Sequence, residues 1–193
     1  SMSYGTLRDY QWKRLLDTLW SSVLLEGPLT KRFVPNQPAP TIAEIRYPAP
    51  TDTYSQHGVL KLGDSKIGVD VLVTRSLFEC ISISVPTGMF AIDPLGDNPE
   101  VLRTDEIKIT AAYEQYKAIA LQCYEVVPFE LASIGWNREC QIVTELEVDQ
   151  DKRQQLFHIG NFFAPLNTLK RLNVEPSTLQ KLDNGLYWMP PKS

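Results

Sequence analysis

The sequence predicts a mixed α+β fold, in which an antiparallel sheet of about four to six strands packs against two helices. The stretch 58–93 contains consecutive runs of alternating apolar residues, which is typical of neighbouring antiparallel strands. Residues 6–26 and 104–127 instead carry apolar residues at three- and four-residue steps, as amphipathic helices do. At 193 residues and without an internal repeat, the simplest organisation is a single domain over residues 2–193.

The first predicted helix, residues 6–26, presents one apolar stripe. Its members are Trp12, Leu15, Leu16, Leu19 and Val23, with Trp20 beside them. Thr6 is the predicted N-cap, and Gly27-Pro28 is the predicted stop. We expect this helix to cover one face of the sheet.

Prolines crowd the stretch 35–50, where proline blocks helix and removes backbone donors. Thr41–Tyr47 lies between them and predicts an edge strand. The Pro-Ala-Pro repeats also suit an extended left-handed segment that binds aromatic grooves, and a solvated connection is the plainer alternative. The sequence leaves the role of this segment open.

The central meander, 58–93, has one strongly apolar face. That face is formed by Ile67, Val69, Val71 and Val73, followed by Ile81, Ile83 and Val85. Gly63–Lys66 predicts a hairpin loop, and Met89–Ile92 one more short strand. The opposite face carries Cys80, Ser82 and Ser84, which are small rather than charged. Such a face is expected to be partly covered by a helix or by a partner.

The second predicted helix, 104–127, begins at Thr104 as N-cap and ends at Pro128. Residues 129–134 are predicted to add a helical turn or two. After them, the alternation of apolar and polar residues over Cys140–Val148 predicts an exposed edge strand, with Glu145 and Glu147 on its solvent-exposed face. Leu186–Met189 is interpreted as a closing strand, with a docking tail as the alternative.

Charge and cysteine usage narrow the function classes. A net charge of −4 and a pI near 5.2 argue against nucleic-acid binding, which needs clustered basic residues. The three cysteines, Cys80, Cys123 and Cys140, are odd in number and widely spaced, so reduced thiols in the cytoplasm are expected. No run is long and apolar enough to predict a membrane span.

Reactive residues are few, and no catalytic, phosphate-binding or metal-binding motif is present. The two histidines, His57 and His158, have no ligand spacing typical of zinc, so we expect neither metal nor cofactor. This favours a non-enzymatic protein. The alternative is a small-molecule binder or enzyme with a pocket between the sheet and the 104–127 helix. Its predicted lining is Tyr113, Tyr116, Tyr124 and Cys80.

Aromatic residues give the remaining clue, because large aromatic side chains often anchor protein interfaces. The candidates for such contacts are Phe157, Phe162, Phe163, Tyr187 and Trp188. The leading hypothesis is therefore an accessory protein that acts in assembly or regulation and binds another protein or its own copy. The sequence identifies neither the partner nor the pathway.

Overall fold

A computed structural model describes residues 1–34, 37–86, 106–135 and 140–191 of the chain. The strands are β1 (Met2–Tyr4), β2 (Leu25–Leu29), β3 (Thr53–Leu62), β4 (Ser65–Arg75), β5 (Glu79–Ser84), β6 (Leu131–Ser133), β7 (Phe162–Pro165), β8 (Gln180–Lys181) and β9 (Leu186–Met189). The helices are α1 (Asp9–Ser21), α2 (Glu106–Val126), α3 (Val143–Val148), α4 (Gln150–Ile159) and α5 (Leu166–Arg171). The predicted α+β class is confirmed.

The strands form one antiparallel sheet in the order β2-β3-β4-β5-β1-β6-β7-β9-β8. Nine strands exceed the predicted four to six, because β1, β6, β7 and β8 span only two to four residues each and carry no readable alternation. The three longest, β3 to β5, are neighbours at one end. Strand β1 lies between β5 and β6 and thereby joins the two halves of the sheet.

The central meander is confirmed where the structure describes it. The β3–β4 hairpin turns at Gly63-Asp64, and Gly63 takes a φ of 59°, which glycine adopts without a Cβ clash. The aliphatic row of β4 from Ile67 to Val73 is buried beneath the helices. The predicted strand Met89–Ile92 lies outside the described residues.

Helix α1 is shorter than predicted at both ends. It begins after Arg8, whose backbone N–H donates to the Gln11 side chain (3.0 Å), so Thr6 is not its cap. Ser22 is extended, and the chain then enters β2, which pairs with β3. Gly27-Pro28 therefore lies within an edge strand and does not stop the helix. The apolar residues at 24 and 25 fit both a helix and a strand, which explains why the predicted helix extends beyond Ser21.

Helix α2 is confirmed from Glu106 to Val126, while its predicted cap Thr104 lies outside the described residues. Two later predictions are wrong. Residues 131–133 form β6 and not a helical turn, because they pair with β1 and β7. Residues 143–148 form α3 and not an edge strand, because Val143 and Leu146, three apart, are both fully buried. The closing strand Leu186–Met189 is confirmed as β9.

The proline-rich stretch runs along the edge of the sheet without forming the predicted strand. Over Thr41–Tyr47 there is only an isolated bridge between Leu29 and Ile42, with Ala43 N–H donating to Pro28 O (2.8 Å). Pro35 lies outside the described residues. The pairing stops there because the following carbonyls bond to side chains.

Residues 44–48 form a strap between the sheet and α1. Side chains of the sheet donate to three alternate carbonyls: Gln56 Nε2 to Glu44 O (3.1 Å), Tyr54 Oη to Arg46 O, and Arg75 Nη1 to Pro48 O (3.0 Å). Tyr47 Oη donates to Asp17 Oδ1 on α1 (2.6 Å). These bonds hold the strap in place, so this part of the segment is not a free docking motif.

The buried hydroxyl of Tyr54 predicts a loss of stability at alkaline pH. Burial raises the pKa of Tyr54 to about 12, whereas an unfolded tyrosine ionises near pH ~10. The unfolded state therefore ionises first, and the stabilisation from Tyr54 is complete below pH ~10 and lost as the pH rises through ~12. We expect urea denaturation midpoints to fall more steeply between pH 9 and 12 for the wild type than for Tyr54→Phe.

The exposed Tyr10 provides the control for this experiment, since it is 56% exposed on α1. Tyr10→Phe should follow the wild-type pH dependence. Parallel curves for Tyr54→Phe and the wild type would show that Tyr54 ionises equally in both states.

Two hydrophobic clusters lie on opposite faces of the sheet. The larger one, on the face covered by α1 and α2, combines Trp12 and Leu16 of α1, Ile119 of α2, and Val71 and Phe163 of the sheet. The smaller one packs α3, α4 and α5 against β6 and β7. We call the first face of the sheet the inner face and the second the outer face.

A disulfide joins Cys80 to Cys140, and Cys123 is a free, buried thiol. The expectation of three reduced thiols is therefore wrong. Cys80 lies on β5 and Cys140 precedes α3, so the bond crosses between the meander and the C-terminal helices. Among the described residues, no helix is both long and apolar enough to cross a membrane.

Candidate functional site

The outer face of the sheet is covered by helices over only part of its width. Leu131 and Phe162 of β6 and β7 are buried there by Leu146, Leu156 and Leu169 from the three C-terminal helices. The same face continues across β1 and β5 to β3. Over β3 and β4 several outward side chains are exposed in the part of the chain that the structure describes.

These side chains form what we call the open face: Thr53, Ser55, Leu72, Ser82 and Ser84. Register places them together, since Ser55 pairs with Leu72 and Leu72 pairs with Ser82. Opposed residues of antiparallel strands point to the same side. Leu72 is 40% exposed although it sits in the middle strand of the meander. The result is a surface of small hydroxyl side chains around one leucine, with His57 and Asp70 in the same row as Ser84.

One border of the open face is an ionic cluster around Asp70. His57 Nδ1 lies 2.8 Å from Asp70 Oδ1, and Arg32 donates through Nε to the same oxygen (3.2 Å) and through its second terminal nitrogen to Oδ2. This cluster anchors the stretch after β2 against the sheet. A Cβ at Gly68 would lie 2.5 Å from the backbone oxygen of Phe33, so this close approach requires glycine.

The other border is the disulfide. The outward row Thr53, Thr74, Cys80, Ser3 and Leu131 runs without interruption across five strands. Thr74, Cys80 and Ser3 are buried, whereas Thr53 is exposed. The buried part of the outer face therefore extends past the disulfide to Thr74 of β4, and the open face begins beside it.

The His57–Asp70 pair has the geometry by which a carboxylate orients an imidazole for acid–base work. Here Asp70 also bonds to Arg32, so its carboxylate already has two partners that hold the edge of the sheet. The arrangement is explained by anchoring the stretch that follows β2. We assign it no chemistry.

The four predicted ligand-binding residues do not form one site. Tyr113, Tyr116 and Tyr124 lie on α2 and pack against the inner cluster, whereas Cys80 faces outward on the opposite side of the sheet. Cys80 also has no free thiol, because its sulfur forms the disulfide with Cys140. The tyrosines and the cysteine therefore cannot line one pocket between the sheet and α2.

Tyr116 keeps one unusual feature. Its hydroxyl is buried and has no hydrogen-bond partner among the described residues, and burial raises its pKa well above the ordinary range. Tyr124 is less enclosed; its ring packs on Phe129 at 4.9 Å between centroids, and burial raises its pKa.

The five predicted interaction residues lie in or beside the core. Phe162 and Phe163 are completely buried, so they offer no surface to a partner in this conformation. Phe157 packs on Phe162 at 5.5 Å, and Trp188 stacks on Phe163 at 6.0 Å. Tyr187 and Trp188 pair with β7 from the neighbouring strand β9 and are only partly buried.

Glu145 and Glu147, which the sequence places on a strand, project from α3 into ion pairs. Glu145 pairs with Lys152 (3.0 Å), and Glu147 accepts from Arg171 Nε (2.7 Å), which lowers the pKa of Glu147. Their roles are structural contacts with α4 and α5. Across the described ranges, no three His, Cys, Asp or Glu side chains converge in a way that could hold a metal ion.

Comparisons with models of known protein families, with curated proteins and with solved structures each returned no match.

Proposed function

We propose that this protein is a non-enzymatic accessory protein, acting in assembly or regulation, that binds another protein through the open face. The observation that carries the proposal is the 40% exposure of Leu72 in the centre of that face. A solvated face of an antiparallel sheet ordinarily alternates to polar residues, and we take the aliphatic side chain at its centre, flanked by short hydroxyl side chains, as the anchor of a contact with another chain.

The chemistry around Leu72 also suits an interface. Charged residues are depleted at the centres of protein interfaces and enriched at their rims. The row through Leu72 carries no charge, and Asp70 with its partners His57 and Arg32 lies in or beside the neighbouring row, opposite Ser84. Ser55 and Ser82 on either side of Leu72 are short, so a partner can approach the sheet closely.

Photo-crosslinking in cells of the source organism tests this proposal. A benzophenone amino acid replaces Leu72 in the full-length chain, and the same probe replaces Tyr10 as the control, since Tyr10 is exposed on the opposite side of the sheet. We expect a discrete adduct with another protein from position 72 and none from position 10. Equal labelling from both positions, or none from position 72, contradicts the proposal.

A charged substitution at Leu72 should weaken the binding of the partner. Leu72→Asp places a carboxylate at the centre of the interface, which costs about 3 kcal/mol when unpaired and corresponds to roughly 100-fold weaker binding. We expect the adduct formed by a probe at Ser55 to be lost in this variant. Because Leu72 is exposed, the melting temperature should stay close to that of the wild type. An undiminished adduct argues against the open face.

A small-molecule binder is the second candidate, and the unpartnered hydroxyl of Tyr116 favours it. If a ligand accepts from this group, a panel of carboxylates, amides and nucleotides should include a compound that raises the melting temperature of the wild type but not of Tyr116→Phe. If none does, Tyr116→Phe should instead leave stability unchanged or raise it, since an unpaired buried hydroxyl is removed.

The proposed location is the cytoplasm, as the sequence suggests. The Cys80–Cys140 disulfide argues for an oxidising compartment instead, and only Cys123 keeps a free thiol. Disulfides persist mainly in oxidising compartments. Localising a tagged chain in the source organism tests this assignment.

A further inference from the structure

The turn between β8 and β9 contains the one place in the sequence where glycine follows asparagine, Asn184-Gly185. Both residues are exposed. The Leu182 N–H donates to Leu186 O (2.8 Å) and the Gly185 N–H donates to Leu182 O (3.0 Å), and these bonds close the turn. Asparagine is among the chemically labile side chains. The surroundings of its carboxamide therefore decide whether the turn keeps its covalent structure.

The Asn184 side chain folds back over the backbone that follows it. Its Oδ1 accepts a hydrogen bond from the Leu186 N–H (3.2 Å), as asparagine does when it bonds to the backbone two residues on. The ring of atoms closed by this bond includes both Cγ of Asn184 and the backbone nitrogen of Gly185, so these two atoms are held near each other. The same N–H polarises the side-chain carbonyl and lies beside the oxygen that becomes negative when Cγ is attacked.

Gly185 places no side chain in the way of such an attack. Its φ is 82°, and apart from its chain neighbours no atom lies within 4 Å of the position that a Cβ would occupy. Asn173 is exposed as well, but the β-branched Val174 follows it and crowds the corresponding nitrogen. One contact opposes the attack, because the bond from the Gly185 N–H to Leu182 O must first open. Exposed turns open more readily than the core of a sheet.

We propose that Asn184 is a self-modifying residue, which converts to aspartate and isoaspartate in the folded protein. The Gly185 nitrogen bonds to Cγ of Asn184, the bond from Cγ to the side-chain nitrogen breaks, and ammonia leaves with the proton of the Gly185 N–H. The product is a cyclic imide. Water then opens either of its carbonyl groups and gives aspartate, or isoaspartate with the main chain running through the side-chain carbon. Water is the only co-reactant, and the site is independent of the open face.

The isoaspartate product lengthens the backbone of the turn by one carbon atom. The bond from the Leu182 N–H to Leu186 O, which closes the hairpin, then no longer fits. Strand β9 stays paired with β7 on its other side. We therefore expect β8 to separate from β9, so that the Leu182 amide exchanges with deuterium at least about tenfold faster. The melting temperature should change little.

Incubation of the full chain in mildly alkaline buffer tests the site. Peptide mapping by mass spectrometry locates the conversion, and methyl transfer from S-adenosylmethionine by an isoaspartate methyltransferase measures the isoaspartate. We expect both products at position 184 and an intact Asn173. The rate should rise about tenfold per pH unit, because the attacking form is the deprotonated amide. A synthetic peptide of residues 180–188 gives the rate in the absence of the fold.

Asn184→Gln is the matched variant, since it keeps a carboxamide but places its carbonyl carbon one bond further from the Gly185 nitrogen. This variant should accept no methyl groups. Methyl acceptance that persists in Asn184→Gln, or conversion of Asn173 as fast as that of Asn184, overturns the proposal. So does an Asn184 that stays intact in the full chain while the peptide converts completely. Unchanged deuterium exchange of Leu182 in the isoaspartate form overturns the separation of β8 from β9.

Discussion

Replacing Cys80 and Cys140 together by alanine should lower the free energy of unfolding by about 4 kcal/mol. The bond links positions 60 residues apart, and closing a loop of that length removes about this much entropy from the unfolded chain. For a chain of this size, the melting temperature should fall by about 10 °C. Urea denaturation and calorimetry with and without a reductant measure the effect.

The reductant distinguishes the disulfide from the packing of its sulfurs. Wild-type protein should lose stability when reduced, whereas the double alanine variant should not respond. Cys123→Ala is the matched control: it removes a buried thiol from α2 and should keep the full response to reduction. Three titratable thiols in unreduced, denatured protein would show instead that the bond does not form.

The cysteine pairing illustrates what the sequence cannot provide. Spacing predicts disulfides only in small scaffolds with repeated patterns, and a bond between β5 and the residue before α3 depends on tertiary contacts. The same holds for β1, whose three residues carry no periodicity but occupy the centre of the sheet. In contrast, β4 and α2 follow from long periodic runs, which is where patterns are most informative.

In short segments the apolar residues can fit both the helical and the strand period. In the stretch 140–148, Ile142, Leu146 and Val148 lie on alternate positions and suggest a strand. Val143 and Leu146, three apart, fit one side of a helix equally well, and packing against β7 selects the helix. Val148 then lies 85% exposed at the end of α3.

The pairing of His57 with Asp70 could be predicted from the sequence only with the correct length of the β3–β4 turn. A four-residue loop at Gly63–Lys66 places His57 opposite Leu72. The observed two-residue turn shifts the register by two and brings His57 opposite Asp70. For the open face, the small side chains of Ser82 and Ser84 predict from the sequence that this side of the sheet is partly covered by a helix or a partner. The exposure of Leu72 beside Ser55 required the correct register.

Removing the guanidinium of Arg75 should be the second large perturbation, with a loss of about 3–5 kcal/mol for Arg75→Met. Arg75 and Glu79 form a pair at 3.5 Å, with side chains only 12% and 9% exposed. Arg75 also reaches Asp9 Oδ1 (2.7 Å) and Pro48 O (3.0 Å), so it joins the sheet to α1 and to the strap. In the variant, the Glu79 carboxylate is buried with no cation beside it. Chemical denaturation measures the loss.

A second substitution shows whether that unpaired charge is the cause. Glu79→Gln in the Arg75→Met background removes the charge and keeps an oxygen that accepts from Leu7 N–H, as Glu79 does in the wild type. The double variant should therefore be more stable than Arg75→Met alone by at least about 1 kcal/mol. Lys13→Met is the matched control, because its ion pair with Asp17 is exposed to solvent and its removal should change the stability far less. Equal losses in the single and double variants would assign the effect to the contacts of Arg75 with Asp9 and Pro48 O and not to the buried charge.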